Sequence, residues 1–203
     1  MSIKTLFQNI ADAIKVKDTS IVSLTPSQMP NAIINLPTAS DLDLTKINIV
    51  GMYIKAVKGG NISNFRAQVG TIQLFNNDGV YLWNNNTIIN SVSSTLITQN
   101  SEDFFRCLKD NYSNTTKWLI RNSYYTGYPC FGFALLNNDI DCTVYNKWKW
   151  YTANDGSERD PVSFGLILGN LSNDEIKLKI IDYKENQTIT NNRLALAYEG
   201  VIV

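Results

Sequence analysis

Gln68-Val69-Gly70-Thr71-Ile72-Gln73-Leu74-Phe75 reads as an extended strand with alternating side chains, and Asn77-Asp78-Gly79 follows it directly. Asp-Gly is a hairpin signal, because glycine accepts the positive φ angles that tight turns require. Val80-Tyr81-Leu82-Trp83 is then expected to pair back on the strand. The same texture extends in both directions. Short runs rich in Val, Ile, Tyr, Phe, Trp and Thr are separated by Asn, Asp and Gly clusters. Strands are predicted at Gly51–Val57, Phe131–Leu136, Val144–Tyr151, Phe164–Leu168, Ile176–Tyr183 and Leu194–Val203. Many short strands at this spacing predict a mainly β chain folded as a sandwich.

The first forty residues differ. Ile3, Leu6, Phe7, Ile10 and Ile14 recur at spacings of three and four, which predicts a helix over 3–16 with Ser2 as its cap. Thr25-Pro26-Ser27-Gln28 carries a capping threonine, a proline at the first helical position and a glutamine at the third. Met29, Ala32, Ile33 and Leu36 then repeat at helical spacing, and Pro37 ends the pattern. The expected organisation is a helical hairpin over 1–37, a linker over 38–46 and a β-domain over 47–203. Burying five large apolar side chains gains roughly 8–15 kcal/mol. Ordering about 35 residues costs on the order of 50 kcal/mol. The hairpin must therefore dock on another surface. The polar connector Thr38-Ala39-Ser40-Asp41 favours another subunit, and the alternative is a helical lid on its own sandwich.

Composition narrows the chemistry. The 203 residues include 18 Lys and Arg, 18 Asp and Glu, and no histidine, and the hydrophobic fraction is 44%. Zero net charge gives phosphates no basic face, so no nucleic-acid partner is expected. No apolar run approaches the roughly 20 residues that span a bilayer, and no signal peptide is recognisable, so no membrane insertion is expected. Cys107, Cys130 and Cys142 form neither a disulfide framework nor a zinc knuckle. Without histidine, the commonest general base and metal ligand are missing. Glu102-Asp103 and Asp139–Asp141 read as solvated loop charge rather than as a glycosidase pair. No enzymatic activity is expected.

Two resemblances sharpen this reading. Leu6-Phe7-Gln8-Asn9-Ile10-Ala11-Asp12-Ala13-Ile14-Lys15, followed by Leu24-Thr25-Pro26-Ser27-Gln28-Met29-Pro30-Asn31-Ala32-Ile33, resembles an N-terminal module of tail and baseplate proteins from phages of Gram-positive bacteria. Gln28 stands where the module usually carries aspartate. The resemblance implies an assembly role for Ile3, Leu6, Phe7, Ile10, Ile14, Met29 and Ile33. Farther on, Asp110 to Thr116-Lys117-Trp118, then Ala153-Asn154-Asp155 to Arg159-Asp160-Pro161 with Gly169-Asn170 beyond, resemble the galactose-binding-like (discoidin, or coagulation factor type C) family. That resemblance implies a jelly-roll β-sandwich.

The residues also make sense by themselves. Asp110, Ser113 and Thr116 suit a tight self-bonded loop. Trp118 should enter a strand and fill the core. Arg159 should clamp a carboxylate such as Asp155 or Asp160.

From the second family come two expectations about ligands. A calcium ion would use Asp110 and Thr116, but the family's glutamate position is Thr71 here, and the loop is one residue longer. No other cofactor is expected. Carbohydrate would use stacking aromatics, for which Tyr124, Tyr125, Tyr128, Trp148 and Trp150 are candidates. Trp148 and Trp150 share one side of a strand, and on an inner face they are core instead. The expected function is a structural virion protein of a tailed phage, associated with the tail or baseplate and located in the virion. Its expected partners are other virion proteins through residues 1–37, and the symmetry of such particles implies a homo-oligomer. The alternatives are a receptor-binding protein for host cell-surface glycan and a capsid decoration protein.

Overall fold

The computed structural model describes residues 42–60, 66–82, 92–96, 107–108, 117–121, 130–172 and 175–203. Ten strands run through them: β1 (Ile47–Val57), β2 (Arg66–Val69), β3 (Thr71–Phe75), β4 (Val92–Leu96), β5 (Trp118–Arg121), β6 (Cys130–Ile140), β7 (Lys147–Tyr151), β8 (Pro161–Ser172), β9 (Glu175–Lys184) and β10 (Leu196–Val201). They form a five-stranded sheet in the order β4-β6-β1-β8-β9, a three-stranded sheet β10-β7-β3 and a two-stranded sheet β2-β5. Every strand pairing is antiparallel.

Strand β1 is the middle of the large sheet because it is apolar on both sides. Ile47, Val50, Met52 and Ile54 join the main core. With a strict period of two, Ile47 and Val50 would face opposite ways. A register irregularity between Ile47 and Ile49 brings both to the same side. The three-stranded sheet supplies Ile72, Leu74, Trp148 and Trp150 to that core. Phe164 of β8 meets Trp148 and Trp150 edge-on, with ring centroids 6.2 and 5.3 Å apart, so the two sheets face each other there. Trp118 opens β5 and is fully buried, as its place in the sequence implied.

Several elements differ from the sequence reading. The single strand expected over 68–75 divides at Gly70. Its N–H donates to the Tyr151 carbonyl over 2.9 Å, and a Cβ there would lie 2.6 Å from the Thr152 carbonyl oxygen. The chain changes partner at this close approach: β2 pairs with β5 and β3 with β7. The Asn77-Asp78-Gly79 turn forms, with Gly79 at φ 77° and its N–H donating to the Asn76 carbonyl. The return is one bridge, Phe75 to Tyr81, instead of a second strand. Strand β7 starts at Lys147, not Val144. Asp141 explains this, because its Oδ1 accepts from Thr143 N and Oγ1 and its carbonyl accepts from Val144 and Tyr145, winding 141–145 into a turn. Strand β4 carried no recognised signal. Residues 42–46, the end of the expected linker, form a turn whose Leu44 carbonyl accepts from Cys142 N over 2.7 Å. The helical hairpin expected over 1–37 lies outside the described residues, as do its assembly residues Ile3, Leu6, Phe7, Ile10, Ile14, Met29 and Ile33.

Candidate binding site at one end of the five-stranded sheet

Four strand ends of the large sheet converge on a polar cleft of about 420 Å³. The register places the start of β1, the end of β6, the end of β8 and the start of β9 together there. Asn48 is its staple. The side-chain amide donates to Asp139 Oδ1 over 3.0 Å and to the Leu171 carbonyl over 3.2 Å, and it accepts from Leu171 N over 2.8 Å. Asn170 donates to the Lys46 carbonyl from the far side. Asp43 accepts from Thr45 Oγ1 at 2.6 Å and Thr45 N at 3.0 Å, and these bonds hold its carboxyl below the ordinary range. Lys46, Asp139, Ser172 and Lys177 remain exposed along the walls. The cleft thus offers ammonium donors, carboxylate acceptors and a hydroxyl on a rigid floor, which suits a polar, hydroxyl-rich ligand. Among the described residues, no group of three or more Cys, Asp or Glu is placed to hold a metal ion.

Lys117, at the described end of the first segment that stood out in the sequence, reaches the second. Lys117 donates to Asn154 Oδ1 over 3.1 Å and to Asp155 Oδ1 over 2.7 Å. The Lys117 bond is the main reason the Asp155 carboxyl lies below its ordinary range. Arg159 pairs with Asp155 at 3.0 Å, one of the two partners expected for it. The other, Asp160, is fully buried and held by the fork of Arg193, at 2.9 and 2.5 Å. Burial raises the Asp160 carboxyl, and the Arg193 fork offsets only part of that. Gln68, also fully buried, donates to the Asp155 and Gly156 carbonyls. These contacts hold the loop over 154–160 in place. Nothing in the spacing of the sequence pointed to Arg193 or Gln68, which reach this loop from distant strands and turns.

The candidate residues from the sequence fall into two groups. Asp110 and Thr116, named for calcium, and Tyr124, Tyr125 and Tyr128, named for sugar stacking, lie outside the described residues. Trp148 and Trp150 are fully buried. A ring with no exposed face cannot stack on a pyranose, so their position in the core removes them as sugar platforms. Two other clusters were not anticipated. On the opposite side of β7, Lys149 donates to Tyr81 Oη over 2.6 Å and lies 4.7 and 4.9 Å from the centres of the Tyr81 and Phe75 rings. Between the sheets, Asp182 Oδ2 accepts from Trp148 Nε1 at 3.0 Å and Tyr198 Oη at 2.7 Å, while Lys184 pairs with Oδ1 at 2.6 Å. Burial, reinforced by Asp182, pushes the Tyr198 hydroxyl up to about 12.

Compared with models of protein families, with curated proteins and with solved structures, the chain matches none of them.

Proposed function

We propose that this protein is a non-enzymatic structural component of a tailed-phage virion, tail or baseplate associated, whose β-rich body is a galactose-binding-like jelly roll displayed for binding. Residues 1–37 provide attachment to neighbouring virion proteins, and the assembled protein is a homo-oligomer. The observation that carries this reading is the contact of Lys117 with Asn154 and Asp155. It brings Lys117, from the first of the two segments quoted for the galactose-binding-like resemblance, to Asn154 and Asp155 of the second, and this contact supports the reading. Six of the described carboxylates support it from the side of chemistry. Asp43, Asp141, Asp155, Asp160, Asp182 and Glu185 are each engaged in turns, loop clamps or cross-strand ion pairs. Such groups hold a scaffold rigid for display.

The polar cleft around Asn48 gives the display a place for a host cell-surface carbohydrate. A pull-down of the full-length chain with host cells and extracted envelope polysaccharide tests this, with and without millimolar calcium. Saturable capture that free sugar competes away, and that an Asp139→Ala, Lys177→Ala double variant loses, supports glycan binding at the cleft. Capture that survives the double variant moves the binding surface elsewhere. No capture by folded protein favours attachment and decoration without glycan recognition. A calcium-dependent rise in Tm would support an ion near Asp110 and Thr116, and an unchanged Tm would remove that ion from the reading.

A further inference from the structure

In the cleft around Asn48, the carboxylates are engaged by the protein itself and the ammonium groups are not. Asp43 Oδ1 accepts from both Thr45 N and Thr45 Oγ1, and Asp139 Oδ1 accepts from the Asn48 amide. The Asn48 amide also donates to the Leu171 carbonyl and accepts from Leu171 N, so both of its arms are used in the floor. Among the described residues, Lys177 makes no hydrogen bond or ion pair. Lys46 meets only Asp43 Oδ2, at 3.8 Å, with the two side chains 67% and 52% exposed. A pair that distant and that wet holds its lysine weakly.

The sheet sets these two lysines on either side of Asn170. Strand β8 lies between β1 and β9. Asn170 of β8 donates to the carbonyl of Lys46, just before β1, and its register partner on β9 is Lys177. The lining also lacks the usual device for a neutral sugar. A pyranose is commonly held by stacking on an aromatic face. None of the described residues that line the cleft is aromatic.

We propose that the cleft takes an anionic glycan, with a phosphate or carboxylate set between the ammonium groups of Lys46 and Lys177 and with sugar hydroxyls on Asp139 Oδ2 and the Ser172 hydroxyl. This rests on the cleft being the glycan site proposed above, and it names the class of glycan. Ammonium groups bond charged oxygens about twice as strongly as neutral ones. Two lysines and two aspartates leave the lining neutral as a whole, so charge alone contributes little at long range. The hydroxyl bonds place the anion, and the lysines select for it.

The test separates extracted envelope polysaccharide into neutral and acidic fractions by anion exchange and measures capture of each by the full-length chain. Capture of the acidic fraction alone is expected. Lys46→Gln combined with Lys177→Gln should weaken that capture about tenfold or more, with the Tm unchanged. Lys179→Gln removes the same charge two residues along β9, outside the cleft lining, and should change capture by less than about twofold. Phosphorus or uronic acid in the captured polymer tells which anion it carries, and a captured polymer with neither overturns the proposal. Equal capture of the neutral fraction, or acidic capture that the double lysine variant keeps, overturns the anionic class while glycan binding itself stands. No capture of either fraction by folded protein removes the glycan reading and this proposal together.

Discussion

Asp182 is held at φ 52°, a left-handed conformation that aspartate tolerates better than most residues. Its carboxylate joins β9 of the large sheet to Trp148 of β7 and Tyr198 of β10. Gly200 makes room for it, since a Cβ at 200 would run into the carboxylate. Asp182→Ala should destabilise the fold by about 2–4 kcal/mol, because two part-buried donors lose their acceptor and alanine is strained at that φ. Asp182→Asn should cost less, keeping one acceptor oxygen and the tolerated backbone. Urea unfolding of the two variants checks the ranking, and equal losses would contradict the bridging role. The thiols make a second expectation at this scale. Burial, with Asp141 adding to it, pushes Cys142 up to about 12, and Cys107 is fully buried beside the Val69 carbonyl. Neither should react with a thiol reagent in native protein, and both should react on unfolding, as peptide mapping by mass spectrometry would report.

At the scale of elements, glycines decide which strands can lie together. Gly51 sits between Phe133 and Ile167, and a Cβ there would meet the Gly132 carbonyl and come within 2.6 Å of Phe133 Cβ. Gly51→Ala should force β1 and β6 apart and cost about 2 kcal/mol or more. Gly79→Ala meets no neighbouring atom and strains only a turn at φ 77°, for about 1–2 kcal/mol. Thermal melts of the pair should place Gly51→Ala lower. The loop over 152–160 depends on a different device. Arg193→Ala would strand a buried Asp160 carboxylate and should cost about 3 kcal/mol or more, read as a shift in denaturation midpoint.

For the whole molecule, the carboxylates set the response to acid. Asp43 is lowered by Thr45, Asp141 by Thr143, Asp155 by Lys117 and Glu185 by Lys55. A carboxyl lowered in the folded state contributes stability above its unfolded value, and that contribution fades as the pH falls through the folded value. Asp160 is raised by burial and acts with the opposite sign, favouring the folded state as the pH falls. Among the described residues, four lowered groups stand against one raised group, which predicts a net loss of stability on acidification below about pH 4.5. Asp160→Asn removes the opposing group, so its stability should fall more steeply over the same range. Chemical denaturation from pH 6 to pH 3 measures both slopes, and a shallower slope in the variant would reverse the role given to Asp160.

Local pattern in the sequence determined what local physics controls. The apolar runs around Gly51–Val57, Phe164–Leu168 and Ile176–Tyr183 announced strands, and Asp78-Gly79 announced a turn, because side-chain alternation and backbone freedom act over a few residues. Trp148 and Trp150 had to share one side of a strand for the same reason. Whether that side met a sugar or a core was not written in the strand itself. Only the facing sheet, with Phe164 against both rings, made them core. Tertiary structure also decided the break at Gly70, the Arg193 clamp on Asp160, the Asp182 bridge and the cleft around Asn48. Each depends on groups far apart in the chain that only the register of paired strands brings within reach, and no local window of sequence carries that register.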